Sequence, residues 1–466
     1  MHAIRGRPSA RLAVLTILVI AAGVIIGLLV APGGGQHQAG PDPAASPIST
    51  VLVASEKPDL LPPCRGVRLT PGRNVQAAID RARPGTTFCF GRGTYVVSSL
   101  MPKSGDVLDG DNRAAVLDGE HSAYFAIYGD QDSPGPSDVT VRGFVIRNYA
   151  TPLQRGAIQD YNGSGWTIED NDITNNAAAG VATGNDVRVL DNLLEHNRQE
   201  GFSASGNGGL YQGNEIAYNN SSLAVNPGWE AGGGKAHATR HLTFKSNYVY
   251  DNGGNGLWAD TNNIYTTYED NTVSDNWGAG IYEEISYNAT IVDNIVTGNG
   301  MPSSPGGGNR QGWAWDGGIT LRETGSISAS EPLVISGNIV ADNYNGISLV
   351  QSPASGCAGL QGAGLYGPCN IKNVLVENNW ITMTQGATGA YQDGAGDGIF
   401  KAQNNVFRGN HYCVSSAAHP NDGYAYGWFA WLNNWVTLTL QPGQTVPVAE
   451  AGGTFQIGSG CGPHNK

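Results

Sequence analysis

The sequence predicts an all-β fold, a parallel β-solenoid of about ten stacked coils, each holding three short strands. Three observations carry this. A pattern recurs along the chain: an apolar residue, two positions, Asn, one position, an apolar residue, two positions, Asn. Self-similarity of this kind is the signature of repeat architectures. Glycine-led strands follow the second Asn at Gly180-Val181, Gly201-Phe202, Gly256-Leu257, Gly280-Ile281, Gly318-Ile319 and Gly346-Ile347. The composition agrees, with 67 glycines and 40 asparagines among 466 residues and 14% charged residues where ~25% is usual. Both Gly and Asn tolerate the left-handed backbone of tight corners, so the chain turns often and a helical bundle is excluded.

Taken in order, the chain opens with an apolar or small-residue run from Leu12 to Ala31, preceded by Arg5, Arg7 and Arg11. Such a run can cross the ~30 Å hydrocarbon core with its basic end inside. Residues 1–31 are therefore expected to be a single membrane anchor or a signal segment, and the Pro- and Gly-rich residues 32–62 a flexible linker. The solenoid follows over 63–435. Within it, Asn74 to Arg83 places Val75, Ala78, Ile79 and Ala82 on one helical face and is expected to cap the first coil. Six cysteines suit an exported chain, and their spacing suggests Cys64–Cys89, Cys357–Cys369 and Cys413–Cys461.

The repeat itself reads Ile168 to Ile173 with Asn171 and Asn176, then Val189 to Leu194 with Asn192 and Asn197. It returns around Asn214, Asn247, Asn271, Asn294, Asn338, Asn379 and Asn405, and a degenerate copy at Val139 to Asn148 has Phe144 where the first Asn belongs. Apolar residues alternate with polar ones around each Asn, which is the period of a strand. Stacked at ~4.8 Å, the Asn side chains can hydrogen-bond along a ladder at a corner. From about residue 411, through GWFAWLNNW, the chain leaves the repeat, and residues 436–466 are expected to form a C-terminal cap.

VQAAIDRARPGTTFCFGRGTY, followed by coils such as VYDNGGNGLWADTNN and VSDNWGAGIYEEISYNATIVDNIVTGNG, resembles the right-handed parallel β-helix proteins of the pectate-lyase-like superfamily, especially exported bacterial members. The resemblance covers roughly residues 64–435. It implies a right-handed winding and relatives that include polysaccharide lyases, uronan epimerases, glycoside hydrolases and sugar-binding proteins. The repeat is scaffold chemistry, so the activity has to be sought in the residues the scaffold displays. The Asp-Asp and Gly-His-Gly motifs of polygalacturonases and the Asp-Pro-His-Asp motif of alginate epimerases do not occur.

Extra residues at about 220–229, 300–316 and 352–369 all adjoin the glycine-led strand, so its outer face is the expected groove floor. Positions two and four after the glycine point outward. They display Trp258 with Asp260, Tyr282 with Glu284, Thr320 with Arg322, and Ser348 with Val350. Asp260 and Glu284 would then stand one rung apart, about 5 Å. Two carboxylates so placed suit acid/base work, or share a Ca²⁺ ion. A spacing of ~5–5.5 Å also matches the carboxyl pair of a retaining glycosidase. Arg322 and Lys235 would neutralise a uronate carboxylate. Trp258, Tyr282, Trp229 and Trp313, with Glu230 beside Trp229, form the expected substrate-binding set; the aromatic rings would otherwise pack the inserted loops. Glu283 should face inward, with Lys235 or Arg322 as partner, and His196, His237, His241 and His411 show no metal-binding spacing.

A net charge of −13 without a basic run excludes nucleic acid as a partner. The expectation is an extracytoplasmic monomer acting on a polysaccharide by lyase-like or epimerase-like chemistry. Lys235 or Glu284 would be the base, Arg322 the carboxylate holder, and Ca²⁺ on Asp260 and Glu284 an optional cofactor. A glycoside hydrolase and a non-catalytic glycan-binding solenoid are the alternatives.

Overall fold

The structure, a computed structural model, describes residues 61–130, 132–308, 316–352, 357, 362–384 and, with short interruptions, 386–414 and 437–457. The expected anchor, most of the linker, Trp313, Trp315, GWFAWLNNW and Cys461 lie outside these residues. Among the described residues no helix is long and apolar enough to cross a membrane.

The β-helix is built of three parallel sheets with 14, 13 and ten strands, the third spanning Ile127–Tyr128 to Gly389–Gln392. Through the repeat, successive strands of the chain fall on successive sheets, so each pairs with its counterpart one coil away. Most strands of the first two sheets are three or four residues long, with an apolar centre turned inward: in Thr167–Glu169, Ile168 is buried and its neighbours are half-exposed. Like residues superpose, so Ile146, Ile173, Leu194 and Ile216 form one column and Val141, Ile168, Val189 and Tyr211 another. Each such aliphatic side chain contributes about 1.5–3 kcal/mol on burial. The first two sheets have more than ten rungs because strands such as Val67–Leu69, Thr87–Phe90 and Val107–Asp109 stack before the Asn pattern begins.

The corner asparagines form two ladders. Asn171, Asn192, Asn214, Asn247, Asn271, Asn294, Asn338, Asn379 and Asn410 make the first; each Oδ1 accepts from the backbone N and Nδ2 of the preceding member. Asn176, Asn197, Asn219, Asn252, Asn276, Asn299 and Asn343 make the second. Asn410, not Asn405, therefore ends the first ladder; Asn405 accepts from Val374 N at another corner. Phe144 N donates to Asn171, which places Phe144 at the head of the column. The residue before a ladder Asn is left-handed, as at Asp170 (φ 55°), Asp191 (φ 54°) and Gly213 (φ 68°). Asn, Asp and Gly adopt that region at least cost.

The helix Val75–Arg81 is capped by Asn74, whose side chain accepts from Ala77 N, and it buries Val75 and Ile79 in the core at the first coil. Disulfides join Cys64 to Cys89 and Cys357 to Cys369. Cys413 is also disulfide-bonded. Within the stretch assigned to the C-terminal cap, Thr437–Gln441 and Gln444–Pro447 form an antiparallel hairpin, while Glu450–Ala451 and Thr454–Ile457 continue the first two parallel sheets.

Candidate functional site

The third sheet carries the glycine-led strands, and its register fixes which side chains meet. Ser203, Lys235, Trp258, Tyr282, Thr320 and Ser348 form one outward column, and His237, Asp260, Glu284, Arg322 and Val350 the next. Close packing of the coils requires the leading glycine: a Cβ on Gly256 would lie 2.5 Å from Gly280 O and 2.7 Å from Val273 Cγ1.

Two ion pairs join the residues of these columns. Lys235 Nζ lies 2.8 Å from Asp260 Oδ2, and Arg322 Nη1 lies 2.7 Å from Glu284 Oε1. Lys235 also donates to the Trp229 carbonyl at 3.3 Å, and its ammonium sits 4.2 Å from the Trp258 ring centroid. Trp258 and Tyr282 stack at 5.5 Å and 19°. Both rings are buried, 4% and 9% exposed, so their faces are taken up by each other and by Lys235. Trp229, 44% exposed, stands at the rim, while the buried Glu230 accepts a hydrogen bond from Gln154 Nε2.

The charges tune one another. Burial raises the Glu284 carboxyl to about 7, and the neighbouring Asp260 charge adds to this while Arg322 and Lys235 oppose it. Burial works against the Lys235 charge, but Asp260, then Glu230 and Glu200, outweigh it and raise the ammonium pKa. The Tyr282 hydroxyl, beside Arg322 and Glu284, is held protonated by burial.

This donor set does not fit Ca²⁺. The ion takes six to eight oxygens, whereas the two carboxylates here already bind Nζ and Nη1. Among the described residues no group of three or more His, Cys, Asp or Glu side chains is arranged to hold a metal. EDTA is accordingly expected to leave any glycan turnover unchanged; loss of activity restored by Ca²⁺ would show otherwise.

Residues 155–331, the coils that hold this site, match the family described as right handed beta helix region. The chain folds as a right-handed parallel β-helix. The β-helix is similar to the A-module of the mannuronan C-5 epimerase AlgE6 of Azotobacter vinelandii, with a TM-score of 0.55 and 18% identity over 82% of this chain and 94% of that one. It is also similar to XylC in complex with xylose (TM-score 0.48, 11% identity, 75% and 81% covered) and to a PL6 alginate lyase in complex with a trisaccharide (0.44, 13%, 86% and 87%). No curated protein matches the chain.

Inside the β-helix, Glu283 faces inward as expected, but its surroundings differ from the sequence expectation. The hydroxyls of Tyr268, Thr266 and Ser286 surround it, none aligned as a hydrogen bond, and neither Lys235 nor Arg322 is its partner. Burial raises this carboxyl to about 8, so it stays neutral in the fold and ionises near its ordinary value when the chain unfolds. Between about pH 4.5 and 8 the unfolded chain thus binds fewer protons, and stability falls as pH rises, by at most about 1.4 kcal/mol per unit from one group. Glu283→Gln is expected to flatten this slope, as read by urea unfolding at pH 5 and pH 8.

Sequence reasoning set His237 aside because it shows no metal-binding spacing. It is exposed, yet it is the register partner of Asp260. The rule of two and four applied to Gly233 yields both Lys235 and His237. Glu200 was missed as well: it is fully buried, and burial followed by the Glu230 charge raises its pKa well above the usual range. A glutamate just before Gly201-Phe202, where the other coils have Ala, Gly or Asn, was the available signal.

Proposed function

We propose that the chain is a carbohydrate-active enzyme that removes the proton beside the carboxylate of a uronate residue in a polysaccharide laid along the outer face of the third sheet. The observation that carries this reading is the row of Lys235, Asp260, Glu284 and Arg322, two cation–carboxylate pairs on adjacent rungs with Glu284 raised to about 7. A general base works best when its pKa lies near the operating pH. Glu284 meets that condition, whereas the raised pKa of Lys235 keeps its proton in place.

In this reading the C–H bond breaks, its proton passes to the Glu284 carboxylate, and the electron pair moves onto the uronate carboxylate. Arg322, whose side chain is 33% exposed, faces that growing charge. Lys235, paired with Asp260, supplies a second positive charge. From the common intermediate, expulsion of the glycosidic oxygen is lyase chemistry, and return of a proton to the other face is epimerisation. A mannuronan C-5 epimerase module shares the fold, a precedent for uronan chemistry on this scaffold. The disulfides suit an exported chain, with residues 1–31 as its signal or anchor.

Incubation with pectate, alginate and glycosaminoglycans tests the reading. Absorbance of unsaturated uronate is expected from a lyase, and altered uronate stereochemistry by NMR from an epimerase. Release of reducing ends without either change would favour hydrolysis, and binding without any change would favour a non-catalytic solenoid.

A further inference from the structure

A second recess lies on the same outer face, toward the N-terminal end of the third sheet. It encloses about 510 Å³ and is lined by Phe125, Tyr128, Asp130, Arg155, Gln159 and Tyr161 among others. Phe125 and Tyr128 are half-exposed and stack at 4.9 Å and 24°. Arg155, an exposed side chain, lies 5.3 Å from the Tyr161 ring centroid and 3.9 Å from Asp130. Gln159 Nε2 donates to Asp130 Oδ2 at 2.7 Å, which fixes the carboxylate at the recess wall. Flat rings beside fixed planar donors and acceptors are the chemistry that recognises a pyranose: the rings cover its C–H face while the polar groups bind its hydroxyls.

The recess stands on the same register column as Lys235 of the candidate catalytic row. Tyr128 is the register partner of Gln159, and Gln159, Ala182, Ser203 and Lys235 follow one another in a single column. The intervening Ala182 and Ser203 are small, and the Tyr161 hydroxyl reaches Ser203 at 2.9 Å, so one ring joins the recess to the rung beside Lys235. Three rungs at ~4.8 Å separate Gln159 from Lys235, about 14 Å, or about three pyranose units of an extended chain.

The geometry points to a distal glycan subsite here, which binds sugar residues of the same polysaccharide about three units away from the reacting one. It rests on the proposed function for the identity of the glycan, but it is read by binding and not by turnover. The probes are alginate and polygalacturonate oligomers of two to eight units, titrated calorimetrically into the full chain and into Phe125→Ala/Tyr128→Ala and Arg155→Gln variants. In at least one series, affinity is expected to step up by about tenfold between roughly three and six units, as the second subsite becomes reachable. Both variants should remove that step while leaving the affinity of the shortest binding oligomers unchanged. Affinity independent of length in both series, or a step that survives in both variants, overturns the subsite. A step without turnover keeps the subsite and overturns only the chemistry.

Discussion

Glu284→Gln is expected to lower kcat/KM on a polyuronate by about 10²–10⁴-fold, the range that a positioned general base contributes. The amide keeps the size of the side chain and can still accept from Arg322, so glycan affinity should change far less than turnover. The wild-type pH profile carries the same information. Burial and the Asp260 charge raise Glu284 to about 7, and only the ionised form removes a proton, so activity should rise as pH passes through about 7. Arg322→Lys would keep the charge but lose the planar fork. A rate that is unchanged in Glu284→Gln, with the same pH profile, would assign the base elsewhere.

The second large effect concerns the scaffold. Asn276→Leu is expected to destabilise the fold by about 3 kcal/mol, since each buried polar group left without a partner costs ~1–3 kcal/mol. The Asn276 side chain accepts from Asn252 N and Nδ2 and donates to Asn299 Oδ1 and the Val249 carbonyl. Leucine makes none of these bonds, and the Asn252 N–H and the Val249 carbonyl would be stranded inside a corner. Gln212→Ala, on an exposed strand position of the same β-helix, should stay within about 0.5 kcal/mol of wild type. Urea unfolding compares the two; equal stability would mean that the ladder adds nothing to the cohesion between coils.

The ladder and the strands were legible in the sequence for a shared reason. A solenoid repeats one local problem, the burial of an apolar residue beside a backbone corner, so its solution recurs at readable intervals. The outward pair Asp260 and Glu284 followed from the same period, counted from the glycine, and their register is as counted. The period gives the facing of a residue but not the partner its side chain finds. Lys235 and Arg322 were read as the charges that neutralise a uronate, and the period did not reveal that each also pairs with a carboxylate on the neighbouring rung. Trp258 and Tyr282 were read as open platforms, yet they are buried against each other because adjacent rungs bring large rings within stacking distance. Asn405 was misplaced because the stretch from Ala402 to Asn405 turns a different corner, which moved the ladder position five residues on, to Asn410. The N-terminal recess left no periodic signal, because its rings come from the two-residue strand Ile127–Tyr128 and the segment just before it, which holds Phe125, and from an unusually long strand, Gly156–Ser164, which carries Tyr161.

Proton abstraction by Glu284 is the central claim, and solvent isotope incorporation measures it most directly. Polyuronates are incubated in D₂O with the wild-type chain and with Glu284→Gln, and the carbon beside the carboxylate is followed by NMR. One polyuronate is expected to gain deuterium at that carbon, or to lose its hydrogen in an unsaturated product, with the wild-type chain and not with the variant. Cleavage or binding that leaves the hydrogen in place, or exchange that persists undiminished in Glu284→Gln, would contradict it.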